Sequence, residues 1–182
     1  MTTKPVTPLG YALMGLINQK PGTGYALRKV FETTPMGNYS SSPGSIYPAL
    51  AGLGRMGLVE TRDGNSRGKG LFHLTPAGED AFQAWLVAPV DGRDLASAML
   101  RFAFLQNHPD RSLTHAFLDS FAAAADGEAK GLRAFLTGDV GRSMPLQSRL
   151  AVEQGRRQFE SSAQWAVWAK QVLENGEMSD DG

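Results

Sequence analysis

The sequence predicts a mostly α-helical chain with one small β-hairpin, arranged as two domains. Two observations carry this. Apolar residues recur at three- and four-residue spacing along most of the 182 positions, and the period drops to two only in "LVETRD" and "LFHLT". Residues 88–92, Ala-Pro-Val-Asp-Gly, then interrupt both periodicities, which marks a linker between a domain over 1–87 and another over 93–176.

The first helix begins at Thr7-Pro8, with proline at the first helical position, and carries Leu9, Leu13, Leu16 and Ile17 on one stripe. Lys20-Pro21-Gly22 stops it. After Thr23, "GYALRKVFETTP" predicts a second helix with Tyr25 or Ala26, Leu27, Val30 and Phe31 available for burial, ended by Pro35 and Gly37. A loop containing Asn38, Tyr39 and Ser40 to Ser42 leads to "SPGSIYPAL" and a third helix.

At 100° per residue, Ile46, Leu50 and Leu53 fall within about 60° of one another, with Ala49 beside them, and make the buried stripe. The far side holds Tyr47, Pro48, Ala51, Gly52 and Arg55, a face of mostly small residues. Ser42 can cap this helix and Pro43 can take its first position. If the helix starts at Pro43, Pro48 costs up to about 3 kcal/mol; a start nearer Gly44 or Ser45 removes most of that cost. Gly57 is expected to close the helix in the left-handed conformation.

The two period-two segments are strands of a hairpin, joined by the glycine-rich turn Gly64 to Gly70, whose Arg67 and Lys69 make its tip basic. Thr75-Pro76 opens another helix with Ala81, Phe82, Trp85 and Leu86 facing inward. Beyond the linker all is helical. Arg93 to about Asn107 carries Leu95, Met99 and Phe102. Asp110 caps a longer run with Leu113, Phe117, Phe121, Ala124, Leu132 and Phe135 or Leu136 on one face, in which Gly127 and Gly131 each cost roughly 1 kcal/mol relative to alanine and invite a break. Gly138 to Pro145 reads as a turn.

The last helix, Pro145 to about Asn175, has two apolar sides: Leu146, Leu150, Trp165, Trp168 and Val172 on one arc, and Val152, Gly155, Phe159, Ala163 and Ala166 on another. One core needs one stripe. The second side either packs on another copy of the chain or is buried within one monomeric bundle. Residues 177–182 form a polar tail, expected to be disordered.

Composition narrows the function. Without cysteine there is no disulfide, thiolate nucleophile or Cys-based metal site, in keeping with a cytoplasmic location. No apolar run approaches the roughly 18 residues that cross a bilayer, and no signal-peptide core follows Met1 to Pro5. Asn38-Tyr39-Ser40 therefore matches the glycosylation pattern by accident. The zero net charge conceals two halves: residues 1–75 hold eight Lys/Arg and three Asp/Glu, a charge of +5, and the remainder holds ten and fifteen, a charge of −5. A basic front half suits a polyanionic partner.

Several motif matches fail on context. Gly52-Leu53-Gly54-Arg55-Met56-Gly57 fits G-x-G-x-x-G, but it closes a helix and leads into a strand, the reverse of a dinucleotide site. The "GKG" of the hairpin turn has neither the spacing nor the following helix of a P-loop. His73, His108 and His115 form no ligand pair, and no nucleophile, base and orienting acid are grouped. No enzyme activity, cofactor or metal is implied. Trp165 and Trp168 are either core residues or, at a subunit interface, a flat slot for an aromatic small molecule.

Three helices, a short turn between the second and third, then a basic-tipped hairpin, is the order of a winged helix-turn-helix, whose third helix enters the major groove and whose wing reaches adjacent phosphates or the minor groove. Over about residues 9–87, "LGYALMGLINQKPGTGYALRKVF", "SPGSIYPALAGLGRMGLVE" and "LTPAGEDAFQAWL" resemble the PadR-type transcriptional regulators, and "RLAVEQGRRQFESSAQWAVW" is similar in style to the helical dimerisation region of that family's larger members. The resemblance implies an N-terminal winged helix-turn-helix plus a C-terminal helical dimerisation domain, in a homodimeric repressor of operator DNA released by a small-molecule or stress signal. By position, Ser45, Tyr47 and Pro48 would begin the recognition helix, and Gly24 and Tyr25 the supporting one. Tyr47 and Ser45 are expected on phosphate, Arg55 on phosphate or a base, and Arg67 and Lys69 on the flanking backbone. Ala51, Gly52 and Gly54 depart from the Lys, Arg or Glu of many members, so base-edge hydrogen bonding should be sparse. A winged domain serving as a protein adaptor without DNA is the alternative.

Overall fold

The computed structural model describes residues 5–34, 36, 43–62 and 70–176. Its contacts divide the chain into two compact units, Met1–Ala88 and Pro89–Gly182.

The first unit contains α1 (Pro8–Gln19), α2 (Gly24–Thr33), a 3-10 turn at Pro43–Ser45, α3 (Ile46–Arg55), β1 (Val59–Arg62), β2 (Leu71–Leu74) and α4 (Pro76–Val87). Threonine opens three of the helices in the same way. The hydroxyls of Thr7, Thr23 and Thr75 accept from the N–H groups of Gly10, Ala26 and Gly78, each cap contributing about 1 kcal/mol. Leu13, Met14 and Ile17 place α1 at the centre of the core, with Leu27 and Phe31 of α2, Ile46, Leu50 and Leu53 of α3, and Phe82 and Leu86 of α4 also buried. The Tyr11 and Trp85 rings stack at 4.4 Å and close the core between α1 and α4.

Burial in α2 is narrower than its sequence suggests. Leu27 and Phe31, one turn apart, go inward with Gly24, while Tyr25, on the opposite side, is 57% exposed. At the start of α3 the 3-10 turn absorbs Pro43, so the α-helix begins at Ile46 and Pro48 is its third residue. In that first turn an N–H has no α-helical acceptor, so the missing donor costs the helix little. The other end closes on Gly57 at φ +70°: the Leu58 N–H donates to the Leu53 carbonyl and the Gly57 N–H to the Gly54 carbonyl, both at 3.0 Å. This is the paired C-terminal motif that a left-handed glycine permits.

The hairpin pairs Val59 with Leu74 through Arg62 with Leu71. The Phe72 N–H also donates to the Gly22 carbonyl at 2.9 Å, so the α1–α2 connection joins the hairpin by a bridge where the sequence showed only a helix stop.

The second unit consists of α5 (Leu95–Leu105), α6 (Ser112–Thr137), α7 (Asp139–Ser143) and α8 (Leu146–Asn175), with the two long helices α6 and α8 packed together. Four expectations change here. In α5 the buried residues are Ala98, Leu100, Arg101, Phe104 and Leu105, not the stripe of Leu95, Met99 and Phe102. "LASAMLRFAFL" is apolar nearly all round, and periodicity cannot choose its inner face. Residues 139–143 form a short helix instead of continuing a turn.

The third change is that α6 runs unbroken through Gly127 and Gly131, because packing of Phe117, Phe121, Ala125 and Ala129 outweighs their low propensity. A Cβ at either glycine would meet nothing within 4 Å. Alanine at each position is therefore expected to raise the unfolding free energy by roughly 1 kcal/mol. Denaturant titration reads this directly, and an unchanged midpoint would contradict it. At the start of α6 the N-cap position falls to Arg111, with no side-chain capping bond, and not to Asp110 as expected. Asp110 precedes it, and its Oδ1 accepts from the Ser112 hydroxyl at 2.7 Å and from the Ser112 N–H at 2.9 Å, which hold the carboxyl below its ordinary range.

Ion pairs tie α6 to α8. Lys170 Nζ donates to Asp119 Oδ1 at 2.7 Å, and Arg133 pairs with Glu160, which Arg156 also holds. Arg156 and Arg157 in turn donate to Glu153, lowering its pKa from 4.5 to about 2. A depressed folded-state pKa contributes stability above the ordinary value and loses it as pH falls from about 4.5 towards 2. Acid titration of Glu153→Gln should accordingly show a shallower loss of stability across that window than the wild type. Superimposable profiles would show that the cluster contributes nothing.

Candidate nucleic-acid interface

The outward face of α3 is built from both ends. At its start, Ser45 is the half-buried N-cap residue, with an αR backbone and no side-chain capping bond. Tyr47 follows, 49% exposed. Its ring lies over the beginning of α2: a Cβ on Gly24 would come 2.7 Å from Tyr47 Cε1, so glycine at that point makes room for the tyrosine. The supporting helix thereby positions a side chain of the third. Next along α3, Pro48 and Ala51 are exposed and Gly52 is half-buried. Arg55 ends the row, its guanidinium 3.9 Å from where a Gly52 Cβ would stand.

Tyr25 on α2 adds a second exposed ring. The Arg28 guanidinium lies 5.7 Å from its centroid, while Arg28 Nε pairs with Glu32 Oε1 at 3.1 Å. Sequence reading passed over Arg28, although its three-residue spacing from Tyr25 on a helix carried the signal. A cleft of about 300 Å³ flanks α3, formed by Pro5, Val6 and Thr7 with Pro48, Gly52 and Arg55.

On the hairpin, Arg62 stands opposite Leu71 at the end of the described ladder and is paired with Glu60 at 2.6 Å. The expected wing cations Arg67 and Lys69 lie outside the described residues, as does the loop of Asn38 to Ser42.

In the second unit the two tryptophans part company. Trp165 sits edge-on to Phe102 at 5.4 Å and to Phe121 at 6.2 Å, and Phe117 stacks on both phenylalanines. Trp168, 45% exposed, instead borders an open groove of about 570 Å³ with Ala122, Ala123, Ala163 and Val167. Trp165 does not line that groove. On α8 the arc of Val152, Gly155, Phe159, Ala163 and Ala166 is buried or half-buried, whereas Leu146, Leu150 and Trp168 of the other arc stand exposed. Among the described residues no group of His, Asp and Glu could hold a metal ion, and no helix is long and apolar enough to cross a membrane.

A helix-turn-helix followed by an antiparallel hairpin, with a lean third helix exposed at its outer face, gives the first unit the architecture of a winged helix-turn-helix. Residues 13–84 match the model of the transcriptional regulator PadR-like family. That match lies within the first unit and covers less than half of the chain, which over this stretch is similar to the PadR-like transcriptional regulators. Among solved structures, Bacillus subtilis PadR in complex with operator DNA is 18% identical, with 93% of this chain and 99% of that chain covered at a TM-score of 0.41. The same protein in complex with p-coumaric acid is 18% identical, covering 94% and 98% at 0.42. A PadR-like transcriptional regulator from Bacillus cereus is 20% identical, covering 93% and 99% at 0.40. No curated protein sequence matches the chain.

Proposed function

We propose that the protein is a DNA-binding transcriptional regulator, a homodimeric repressor that sets α3 of each copy into the major groove of an operator half-site. The observation that carries the reading is the outward face of α3: Tyr47, Pro48, Ala51 and Arg55 are exposed, and no residue of the helix is acidic. The +5 charge of residues 1–75 suits the phosphate backbone. Ser45, Tyr47 and Tyr25 serve phosphate contacts at one end, and Arg55 serves a phosphate or a base at the other. Gel shift with DNA from beside the protein's own gene tests this. A discrete complex that survives competitor DNA is expected, and no retardation of any fragment at low salt would favour the adaptor reading.

The wing contributes through charge alone. With Arg67 and Lys69 both changed to alanine, binding to every DNA sequence should weaken, and the slope of log affinity against log salt should flatten by about two. Unchanged binding would remove the wing from the interface.

Dimerisation through the second unit is supported by the exposed Leu146, Leu150 and Trp168 stripe of α8, which an isolated subunit leaves in water. The groove beside Trp168 is the place for a small aromatic effector, with Trp165 in the aromatic cluster on the neighbouring side of the helix. A ligand held there would change how two copies meet and so the separation of their α3 helices. Quenching of tryptophan fluorescence by an aromatic acid, lost in Trp168→Phe and accompanied by release of DNA, is the expected signature.

A further inference from the structure

We propose that α3 selects its operator chiefly through the 5-methyl groups of thymines, touched by Ala51 and Pro48, and not through a row of hydrogen bonds. This rests on the preceding reading that α3 enters the major groove. At 100° per residue, Tyr47, Ala51 and Arg55 span about 80° of the outward face, with Pro48 and Gly52 continuing it on one side. Ala51 is thus near the middle, and it is exposed. Between Tyr47 and Arg55 no outward side chain can donate or accept a hydrogen bond. A helix of this composition cannot distinguish bases by paired donors and acceptors along its central turns.

It can distinguish them by contact. In the major groove thymine alone carries a methyl group, and small apolar side chains are its natural partners. The lean face also changes the distance of approach. An α-helix has its Cα atoms about 2.3 Å from the axis and its side chains out to about 5–6 Å, so a face of Ala and Gly lets the axis come roughly 2 Å closer to the base edges. Pro48 at the third helical position adds a rigid ring to the same surface at no further conformational cost. The ends of the face keep the polar work. The Tyr47 ring is seated against Gly24, and the Arg55 guanidinium lies over Gly52, where it can swing to a phosphate or to one guanine. The occupant is fixed as DNA by charge: Arg55 terminates the apolar patch, and the surrounding unit is basic.

The test begins with the operator selected by the wild-type protein from random DNA, with each half-site thymine then replaced by uracil, which removes only the methyl. Loss of one buried methyl should weaken binding about fourfold at one or two positions per half-site. At such a position 5-methylcytosine should be better tolerated than cytosine. Ala51→Gly or Pro48→Ala, each checked for an intact thermal transition, should remove the uracil penalty at its own position, while Arg55→Ala should leave every penalty in place. The inference is overturned if all thymines tolerate uracil, if the selected half-site has no thymine, or if the penalties persist in both Ala51→Gly and Pro48→Ala. Failure to select any sequence would instead count against DNA recognition by α3 itself.

Discussion

Replacing Leu150 and Trp168 together with glutamate is expected to convert the protein to a monomer and to weaken binding to a two-half-site operator by about two to four orders of magnitude. Both residues stand exposed on one side of α8, Leu150 at 57% and Trp168 at 45%, while the other apolar arc of the helix packs within the subunit. Carboxylates there leave the inward packing alone and make the outward stripe incompatible with an apolar partner. A dimer that engages two half-sites gains its second contact intramolecularly, which is the source of the large factor. Sedimentation equilibrium gives the mass and gel shift the affinity. Binding to an isolated half-site should scarcely change. A variant that remains dimeric would place the interface elsewhere.

A change of one methyl group, Gly78→Ala, is expected to destabilise the winged unit by about 3 kcal/mol, the upper end of ordinary overpacking. Gly78 lies in the first turn of α4 against the α3–β1 connection, where a Cβ would come within 1.9 Å of the Leu58 carbonyl oxygen. That neighbour is backbone and cannot rotate away. The same place is held by the Thr75 hydroxyl, which donates to the Gly57 carbonyl at 2.6 Å and accepts from the Gly78 N–H at 3.0 Å, and by the Thr75 N–H, which donates to the Leu58 carbonyl. Relieving the clash must shift α4 relative to the end of α3 and the base of the hairpin, so DNA affinity should fall as well. Denaturant unfolding at the wild-type midpoint would contradict the assigned close approach.

What could be read in advance follows the reach of each signal. Helix starts at Thr7, Thr23 and Thr75 were legible because a capping hydroxyl acts within three residues. The left-handed Gly57 was legible because only its local conformation was at issue. The bridge from Phe72 to Gly22 was not, since it joins positions fifty apart and neither residue advertises a partner. Nor was the seat of Tyr47 against Gly24, for the same reason. In α5 the difficulty was the opposite: too many apolar residues, with no polar face to show which side turns inward. Gly127 and Gly131 misled because propensity is local and the packing of α6 on α8 is not. Of the outward side chains of α3, Tyr47, Pro48 and Arg55 were legible from the angular separation of one stripe, whereas Trp165 and Trp168, only three apart, were divided by the edge of α6, which sequence cannot draw.

Selection of bound DNA from a random pool, run in parallel with wild-type protein and with Ala51→Asp, tests the central role of α3 most directly. The wild type should enrich a two-fold symmetric motif whose half-site centres lie about 10–10.5 base pairs, or one helical turn, apart. The variant, with a carboxylate in the middle of the outward face and its fold intact by circular dichroism, should enrich none. Enrichment of the same motif by both proteins would contradict the placement of α3 on the bases.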